Sequence, residues 1–396
     1  QLTVTRTGKQ RNVFQDAIPT FSTHALDMEA TAHLPLSQVD KGARVLLIAG
    51  GIFGTLNEII KHDPKHIDYV ELDPAIVTLA QRLDQTIPAP VVDVHLGDGR
   101  LFVKKATRTY DVVIVDLPDP ENAQLNRFYT KEFFHEVRSI LSPSGVLSFT
   151  LVGAENYMEE TGLALNRSVY SALDRTFDEV LVLPGSTHHF MASDGTLTQD
   201  IESVLAQRHI STKRLIAYDL PTLTDPWRID KLSALLRGND VPPNSDLSPR
   251  AFGHLLDMWL KKTHSSRGML YIGFFVIAFF AFIASRKEPI HFTIMTSGYA
   301  AMAFELTLIL LFQLIYGYAY LRMCILITLF MIGSVTGALW SGRWTKPRKK
   351  QIVSGDMTLV ALAAVAWVTA VLSVRSISGP LLFWIQYLLI PLLVFL

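Results

Sequence analysis

The sequence predicts an α/β protein with a doubly wound parallel sheet, followed by membrane-spanning helices. Apolar strand-like runs alternate with helix-like segments over residues 41–195, a pattern typical of parallel sheets built from repeated strand–helix units. Glycines and acidic residues follow these runs at the points where the strands should end. Beyond Gly268 the chain is dominated by long apolar runs. We therefore expect any catalytic or ligand-binding site to lie in the first part of the chain.

The change in composition along the chain predicts four regions. They are a β-hairpin region at 1–40, an α/β domain at 41–195, a helical extension and linker at 196–267, and a transmembrane region at 268–396. The chain of 396 residues starts without Met inside a strand-like segment and stops inside an apolar run. We therefore expect a fragment of a longer protein.

The composition argues against several classes of protein. Lys and Arg together number 36, as do Asp and Glu, so the charge balance gives no sign of a nucleic-acid partner. Cys324 is the single cysteine, which excludes a disulfide framework and a thiol metal site. His188 and His189 are adjacent in a predicted loop, where two such histidines rarely bind a metal without further ligands. We expect them at the surface or at the rim of a site, and we predict no metal site.

The predicted elements follow one another in a regular order. The alternation in "QLTVTRT" and "RNVFQDAIPTFS" predicts antiparallel strands. Five apolar runs then predict buried parallel strands, namely "ARVLLIAGG", "IDYVELDP", "VVDVHLGDGR", "YDVVIVDLPDP" and "GVLSFTL". The helices predicted among them are "TLNEIIKH", "AIVTLAQRL" and "KEFFHEVRSIL". Because ligands of such sheets bind at the carboxyl ends of the strands, polar residues there gain importance.

The first two strand ends carry a glycine turn and an acid. Gly50, Gly51 and Gly54 in "AGGIFG" would let the backbone approach a ligand closely. Glu71 follows about 20 residues later, a spacing at which an acid accepts hydrogen bonds from ribose hydroxyls. The alternative role for Glu71 is to cap the next helix, although Asp73 is better suited to capping.

The third strand end is "LGDGR". Asp98 stands between two glycines and can accept a hydrogen bond from an exocyclic amine such as that of adenine, and a plain turn aspartate is the alternative. No basic residue sits near the glycine turn. The three ends together predict a cradle for a nucleoside that does not need to bind phosphate.

The fourth strand end, "DLPDP", carries paired acids. Asp116 and Asp119 emerge from an apolar strand and are stiffened by two prolines. Paired carboxylates at such an edge can bind a cationic amine and accept its proton. The alternative is two turn aspartates satisfied by backbone amides. Tyr129, in "LNRFYT", is expected close to the same rim.

In their order, the four strand ends resemble those of the polyamine aminopropyltransferases, the spermidine/spermine synthase family. The resemblance covers roughly residues 1–194 and rests on "VLLIAGGIFGTLNEIIKH", "YVELDP", "GDGRLFV" and "YDVVIVDLPDP…FYTKEFF". With its apolar continuation, the chain is similar to the membrane-fused bacterial branch. The resemblance implies a Rossmann-like methyltransferase-type sheet with a small N-terminal β-domain. It also implies decarboxylated S-adenosylmethionine as a co-substrate, with no further cofactor.

The same resemblance implies a role for each candidate residue. Glu71 would hold the ribose of the donor and Asp98 its adenine, with Gly50, Gly51, Gly54 and Gly99 lining the cradle. Asp116 would deprotonate the acceptor amine, and Asp119 would help to hold that amine. Glu29, which matches a family glutamate, and Tyr129 would lie on the substrate side. The implied partners are a small-molecule amine, the nucleoside thioether donor and the lipid bilayer, with a homodimer as one candidate assembly.

The sequence departs from the family pattern in the half of the site that should bind the amine. Ile52 occupies a position where the family usually has an aspartate in the glycine loop. Leu117 and Pro118 stand where small hydroxyl residues usually separate the two acids. We therefore predict an altered amine site. A methyltransferase that uses S-adenosylmethionine, and a non-enzymatic polyamine transporter or sensor, remain as alternatives.

Five apolar runs predict the membrane region, since a spanning helix needs about 20 apolar residues. They are Met269–Ser285, Phe292–Tyr316, Tyr320–Trp340, Met357–Val374 and Pro380–Leu396. Glu305 within the second run is a candidate functional group, with a structural hydrogen bond in the bundle as the alternative. The basic residues beside the spans do not decide the orientation. We expect a multi-pass protein of the cell membrane with its α/β domain in the cytoplasm, where the donor is found.

Overall fold

The computed structural model describes most of the first 262 residues and parts of the remainder. The described ranges are 2–7, 10–15, 18–22, 27–51, 54–82, 90–155, 158–237, 241–262 and 320–341, with scattered residues between 268 and 309. The chain divides into two compact units, Gln1–Thr263 and His264–Leu396.

The first unit contains ten described strands and most of the described helices. The strands are β1 Leu2–Thr7, β2 Gln10–Gln15, β3 Ile18–Ser22, β4 Arg44–Ile48, β5 His66–Glu71, β6 Val92–Leu96, β7 Tyr110–Val115, β8 Leu141–Val152, β9 Glu179–Leu183 and β10 Thr187–Ser193. The helices are α1 Asp27–Leu36, α2 Thr55–Ile60, α3 Pro74–Arg82, α4 Gly99–Lys105, α5 Ala123–Asn126, α6 Lys131–Arg138, α7 Glu160–Asp174, α8 Ile201–Gln207, α9 Leu220–Leu223, α10 Pro226–Leu236 and α11 Arg250–Lys262, with a π-helical turn at Leu215–Asp219. Helix α12, Tyr320–Ser341, belongs to the second unit.

Two sheets organise the first unit. Strands β1, β2 and β3 form a small antiparallel sheet, as the alternation near the start of the chain predicts. The other seven strands form one sheet in the order β6-β5-β4-β7-β8-β10-β9. Its first five strands are mutually parallel, and β10 runs antiparallel to both of its neighbours. This is a Rossmann-like methyltransferase-type α/β fold, and the predicted fold class is confirmed for this part of the chain.

Both faces of the large sheet are buried, and the side chains of the central strands point alternately to the two faces. Val112 and Ile114 of β7 pack in a cluster with apolar residues of α1, α2 and α3. Val113 and Val115 face the other side and pack with residues of α6 and α7. Side chains of a strand point alternately to its two faces, so a continuous apolar run can serve both layers at once. This explains why the parallel strands were evident in the sequence.

The prediction that His188 and His189 lie in a loop, at the surface or at the rim of a site, is wrong. Both lie in β10, which pairs with β8 on one side and β9 on the other, and they are 2% and 7% exposed. His188 Nδ1 lies 3.1 Å from Asn166 Oδ1 of α7. Burial lowers the pKa of each histidine to about 4, so both are neutral at physiological pH. The segment of β10 begins with Thr187, His188 and His189, so it lacks the apolar run that identified the parallel strands.

Residues 241–249, a proline-rich segment within the predicted extension and linker, pack against the α/β domain. Asn244 is completely buried, and its side-chain Nδ2 donates to the backbone oxygen of Tyr129 at 2.8 Å. Asp246 accepts two hydrogen bonds from Arg100, which also forms a pair of hydrogen bonds with Glu136. The segment therefore holds α4, α5 and α6 in place behind the strand ends.

The predicted transmembrane region is described only in part. Helix α12 forms over the predicted span Tyr320–Trp340. Among the residues that the structure describes, however, no helix combines the length and the apolar character needed to cross a membrane. The other four predicted spans lie largely or wholly outside the described residues.

Candidate active site

Four neighbouring strands bring the predicted polar residues to one edge of the large sheet. The order β6-β5-β4-β7 places the glycine turn after β4 between the strand that ends at Glu71 and the strand that precedes Asp116. Asp98 follows β6 and begins α4. Carboxyl ends of adjacent parallel strands share an edge, so these residues surround one cleft. Ile52 and Phe53, between the glycines, lie outside the described residues.

The glycine turn makes room for the Asp116 carboxylate. Gly50 has a φ of +68°, and a Cβ atom at this position would lie 1.9 Å from Asp116 Oδ2. The neighbouring Gly51 is restricted by the Tyr69 ring, which a Cβ atom would meet at 2.7 Å. A side chain at either position would displace the residues that line the cleft. The turn therefore needs glycine for close approach as well as for its backbone conformation.

Asp116 is held by the helix that follows the glycine turn. Thr55 is the first residue of α2, and its Oγ1 donates to Asp116 Oδ2 at 3.0 Å. Burial raises the pKa of Asp116 to about 6, while the hydrogen bond from Thr55 lowers it. The residue is still partly exposed to solvent. A carboxylate with a pKa near 6 is largely ionised at neutral pH and can accept a proton from a bound group.

Asp119 is tied to the neighbouring strand. Its Oδ1 accepts a hydrogen bond from the backbone N–H of Val152 in β8 at 2.9 Å. Burial raises its pKa, an effect that the hydrogen bond opposes. This contact agrees with the alternative of a turn aspartate satisfied by a backbone amide. The second oxygen of the carboxylate is the one that a ligand in the cleft would reach.

Tyr129 lies beneath the loop that carries the two acids. The side chain is completely buried, and its hydroxyl lies 3.1 Å from the backbone oxygen of Leu117 and 2.8 Å from that of Pro118. Burial raises the pKa of Tyr129 well above its usual range, and the charges of Asp119 and Asp116 add to this effect. These contacts make Tyr129 a support for the loop, whereas the sequence placed it on the substrate side.

Glu71 is oriented by its own strand and by the turn that follows. Its Oε2 accepts from the Tyr69 hydroxyl at 2.6 Å, and its Oε1 accepts from the backbone N–H of Asp73 at 3.1 Å. Burial raises its pKa, and these hydrogen bonds oppose that rise. Asp73 instead accepts from the backbone N–H of Ala75 in α3. Asp73 thus takes the capping position, and Glu71 is left at the edge of the cleft.

Asp98 is held by contacts within the protein. Its Oδ1 accepts from the backbone N–H of Leu101 at 2.9 Å and so caps α4, while its Oδ2 pairs with the guanidinium of Arg127. The Arg127 guanidinium also lies over the Phe128 ring, 4.8 Å from its centroid. Sequence reasoning missed Arg127, although it stands in the segment "LNRFYT" that was placed at the same rim. The Asp98 carboxylate is therefore positioned by Arg127 and by the start of α4.

The Glu29 carboxylate accepts hydrogen bonds from the backbone of a segment that is distant in the chain. Its two carboxylate oxygens accept from the backbone N–H groups of Lys213, Arg214 and Leu215 at 2.6, 3.0 and 2.9 Å. The side chain is buried, and it satisfies the first amides of the π-helical turn. These hydrogen bonds explain why the Glu29 carboxylate can be buried even when no substrate is bound. Partners so far along the chain could not be inferred from sequence.

Comparison with known proteins agrees with this arrangement. Residues 25–175 match the family model described as Spermine/spermidine synthase domain. This stretch is similar to spermine/spermidine synthase domains. It includes every residue that the sequence placed in the site, from Glu29 to Tyr129. Assignment to the membrane-fused branch remains a prediction.

Two proteins to which the chain is similar are polyamine aminopropyltransferases. One, from Oceanobacillus iheyensis, is 29% identical over 241 residues, which cover 57% of this chain and 45% of that protein. Another, from Korarchaeum cryptofilum, is 27% identical over 242 residues, which cover 56% of this chain and 72% of that protein. A solved spermidine synthase from Thermotoga maritima is 22% identical and has a TM-score of 0.47, covering 59% of this chain and 87% of its own. The chain thus spans less than half the length of the first relative.

Proposed function

We propose that the α/β domain transfers an aminopropyl group from decarboxylated S-adenosylmethionine to a di- or polyamine. The observation that carries this proposal is the Asp116 carboxylate, which lies against the glycine turn with a pKa of about 6. A base of this strength is ionised at neutral pH and attracts an alkylammonium group. The domain match and the two relatives support the same reaction.

The reaction needs one proton transfer and one substitution. The ammonium group of the acceptor first gives a proton to Asp116, which exposes the nitrogen lone pair. The nitrogen then attacks the aminopropyl carbon next to the sulfonium, and a C–N bond forms as the C–S bond breaks. The electron pair of the C–S bond remains on sulfur, and neutral methylthioadenosine leaves. Because the sulfonium is already a good leaving group, the protein mainly positions the reactants and accepts the proton.

The nucleoside half of the donor is assigned to the β5 and β6 ends. Glu71 would accept hydrogen bonds from the ribose hydroxyls, since Tyr69 and the backbone of Asp73 hold its carboxylate at the cleft. Asp98, which caps α4 and pairs with Arg127, would face the adenine amine. Gly50, Gly51, Gly54 and Gly99 would line this half. Gly99 lies close to β4, since a Cβ atom there would meet Ile48 at 2.5 Å.

The acceptor half is assigned to the loop after β7. Asp119 would hold a second ammonium group of the amine with the oxygen that Val152 does not use. Leu117 and Pro118 replace hydroxyl residues here and are braced by Tyr129 from below. The loop therefore offers fewer hydrogen-bonding groups than the family pattern implies, and we propose an altered choice of amine.

The test is a transfer assay on the purified chain. Decarboxylated S-adenosylmethionine is supplied with a panel of di- and polyamines, and methylthioadenosine is measured. We expect release with at least one amine, and Asp116→Asn should reduce kcat by about 10²-fold or more, because a general base contributes about that much. Asp230→Asn, at an exposed position on α10, is the matched control and should be fully active.

The donor that the protein binds more tightly distinguishes a methyltransferase from an aminopropyltransferase. If the protein binds S-adenosylmethionine clearly more tightly than the decarboxylated form, the aminopropyl transfer proposed here is wrong. Release of no methylthioadenosine with any amine, beside an active control enzyme, would reject it as well.

The membrane attachment predicted above rests on the apolar segments of the sequence alone. Fractionation of cells that express the chain would test it. Recovery in the membrane pellet after a carbonate wash would support attachment, and recovery in the supernatant would contradict it.

A further inference from the structure

Four polar side chains meet on one face of strands β5 and β6, away from the carboxyl ends that form the active site. His66 and Asp68 are two residues apart on β5, and Asp93 and His95 are two residues apart on β6. Residues two apart on a strand share a face. Asp68 is the register partner of Asp93, so the two pairs are brought side by side.

The distances among three of these groups suit a metal ion. His66 Nε2 lies 3.3 Å from Asp68 Oδ1 and 3.5 Å from Asp93 Oδ2. One ligand atom from each of the three residues lies within 4.8 Å of the other two. Bonds of about 2.0–2.2 Å in a tetrahedral site separate ligand atoms by about 3.3–3.5 Å. A metal ion could therefore bind after only a small approach of the carboxylates.

Asp68 is oriented by groups around it. It is 2% exposed, and its Oδ1 lies 2.6 Å from His95 Nε2, while its Oδ2 accepts from the Tyr110 hydroxyl at 2.8 Å. Metal-binding carboxylates are commonly fixed by such outer hydrogen bonds. By contrast, the side chains of His66 and Asp93 are 21% and 57% exposed. The cluster thus has one fixed ligand and two that solvent ions can reach.

An exposed cation already lies beside the carboxylates. Arg108 Nη1 lies 3.2 Å from His66 Nε2 and 3.9 Å from Asp68 Oδ2, and the Arg108 side chain is 59% exposed. An exposed arginine can move into solvent at little cost. A divalent ion would then replace the single positive charge of Arg108 with two, beside the same carboxylates.

We propose that His66, Asp68 and Asp93 bind one divalent transition-metal ion, with water as a fourth ligand. One imidazole and two carboxylates suit Zn²⁺ or Mn²⁺. Because β6 is the edge strand of the large sheet, the ion would fasten that edge to β5, three residues before Glu71. No metal site was predicted from the sequence, where the single cysteine and the adjacent pair His188 and His189 were the candidates weighed. The relevant sequence signal is the two-residue spacing in "HID" and "DVH" on neighbouring strands.

The test is titration of the purified, metal-stripped chain with Zn²⁺, and in parallel with Mn²⁺, by calorimetry. We expect one equivalent to bind to the wild-type protein and to raise the thermal midpoint by about 5 °C when the ion is about 100-fold above its Kd. His66→Gln and Asp93→Asn should each weaken binding at least tenfold. Arg108→Ala should tighten it, because it removes the competing cation.

Matched controls separate this site from other histidines and acids. His135→Gln and Asp40→Asn change the same residue types at exposed positions and should leave binding unchanged. If neither ion binds with one-to-one stoichiometry, or if His66→Gln and Asp93→Asn bind as well as wild type, the cluster is an ion-pair network and the proposal is wrong. Because His66 and Asp93 are partly exposed, their variants should fold, which circular dichroism would verify.

Discussion

Thr55 and Asp116 are joined by a hydrogen bond of 3.0 Å, from Thr55 Oγ1 to Asp116 Oδ2, across the glycine turn. The contact links the start of α2 to the end of β7, two elements 61 residues apart in the chain. It fixes the carboxylate proposed as the base and stabilises its charged form. The arrangement makes the strength of that base depend on a residue outside the reacting groups.

Thr55→Val should raise the pKa of Asp116 above its value of about 6, because the variant keeps the shape of the side chain and loses the donor. Hydrogen bonds to charged groups are worth about 1.5–3 kcal/mol, so we expect a shift of about one pH unit or more. The apparent pKa below which kcat for methylthioadenosine formation falls should rise by that amount. Thr55→Ser keeps the donor and should keep the wild-type profile. An unchanged apparent pKa in Thr55→Val would show that the hydrogen bond does not tune the base.

Gly50→Ala should reduce kcat by about 10²-fold, a typical cost of displacing a catalytic group by about 1 Å. The new Cβ atom would lie 1.9 Å from Asp116 Oδ2, so the carboxylate has to move. Gly42→Ala is the matched control, since Gly42 also has a positive φ, +78°, with no atom within 4 Å of the added Cβ. Both variants should lose about 1 kcal/mol of stability to backbone strain. Equal kcat values in the two variants would contradict the argument.

The pair of Asp98 and Arg127 should couple strongly. Both side chains are buried, and removal of one partner of a buried ion pair costs about 3–5 kcal/mol. Arg127→Met should therefore destabilise the domain by about that amount, whereas Asp98→Asn retains an oxygen that can cap α4. Urea unfolding of the two single variants and of the double variant gives the coupling energy, which we expect to exceed about 2 kcal/mol. Additive effects would mean that the pair is not an energetic unit.

His189 should make the domain sensitive to mild acid. Its folded pKa of about 4 lies below the unfolded value of about 6.5, so the unfolded state binds more protons as the pH falls. The stabilisation is complete above pH 6.5 and is lost between pH 6.5 and 4. Between pH 7 and 5 the loss from one such histidine is about 2 kcal/mol.

The comparison with His189→Gln isolates this effect, because raised carboxyl pKa values such as that of Asp116 act in the opposite direction. The variant should lose about 2 kcal/mol less than wild type when urea unfolding is measured at pH 7 and at pH 5. If both proteins lose the same amount, His189 does not titrate as its burial implies.

Local sequence signals were enough to predict the parallel strands and the acids at their ends. The run "RVLLI" is buried on both faces in β4, and Glu71, Asp98 and Asp116 follow strands as predicted. Interactions between distant segments could not be predicted from the sequence. Arg100 is satisfied by Asp246, and Glu29 by the amides near Lys213, and no local pattern relates those pairs. Tyr129 was placed correctly near the acids, but its burial depends on packing that only the structure gives.

The pH dependence of kcat for methylthioadenosine release, at saturating donor and amine, tests the central claim most directly. If Asp116 is the base, kcat falls about tenfold per pH unit below an apparent pKa near 6, and Asp116→Asn loses both the activity and this limb. A profile that stays flat from pH 8 to pH 5, or an Asp116→Asn variant with the wild-type rate and limb, would contradict the account.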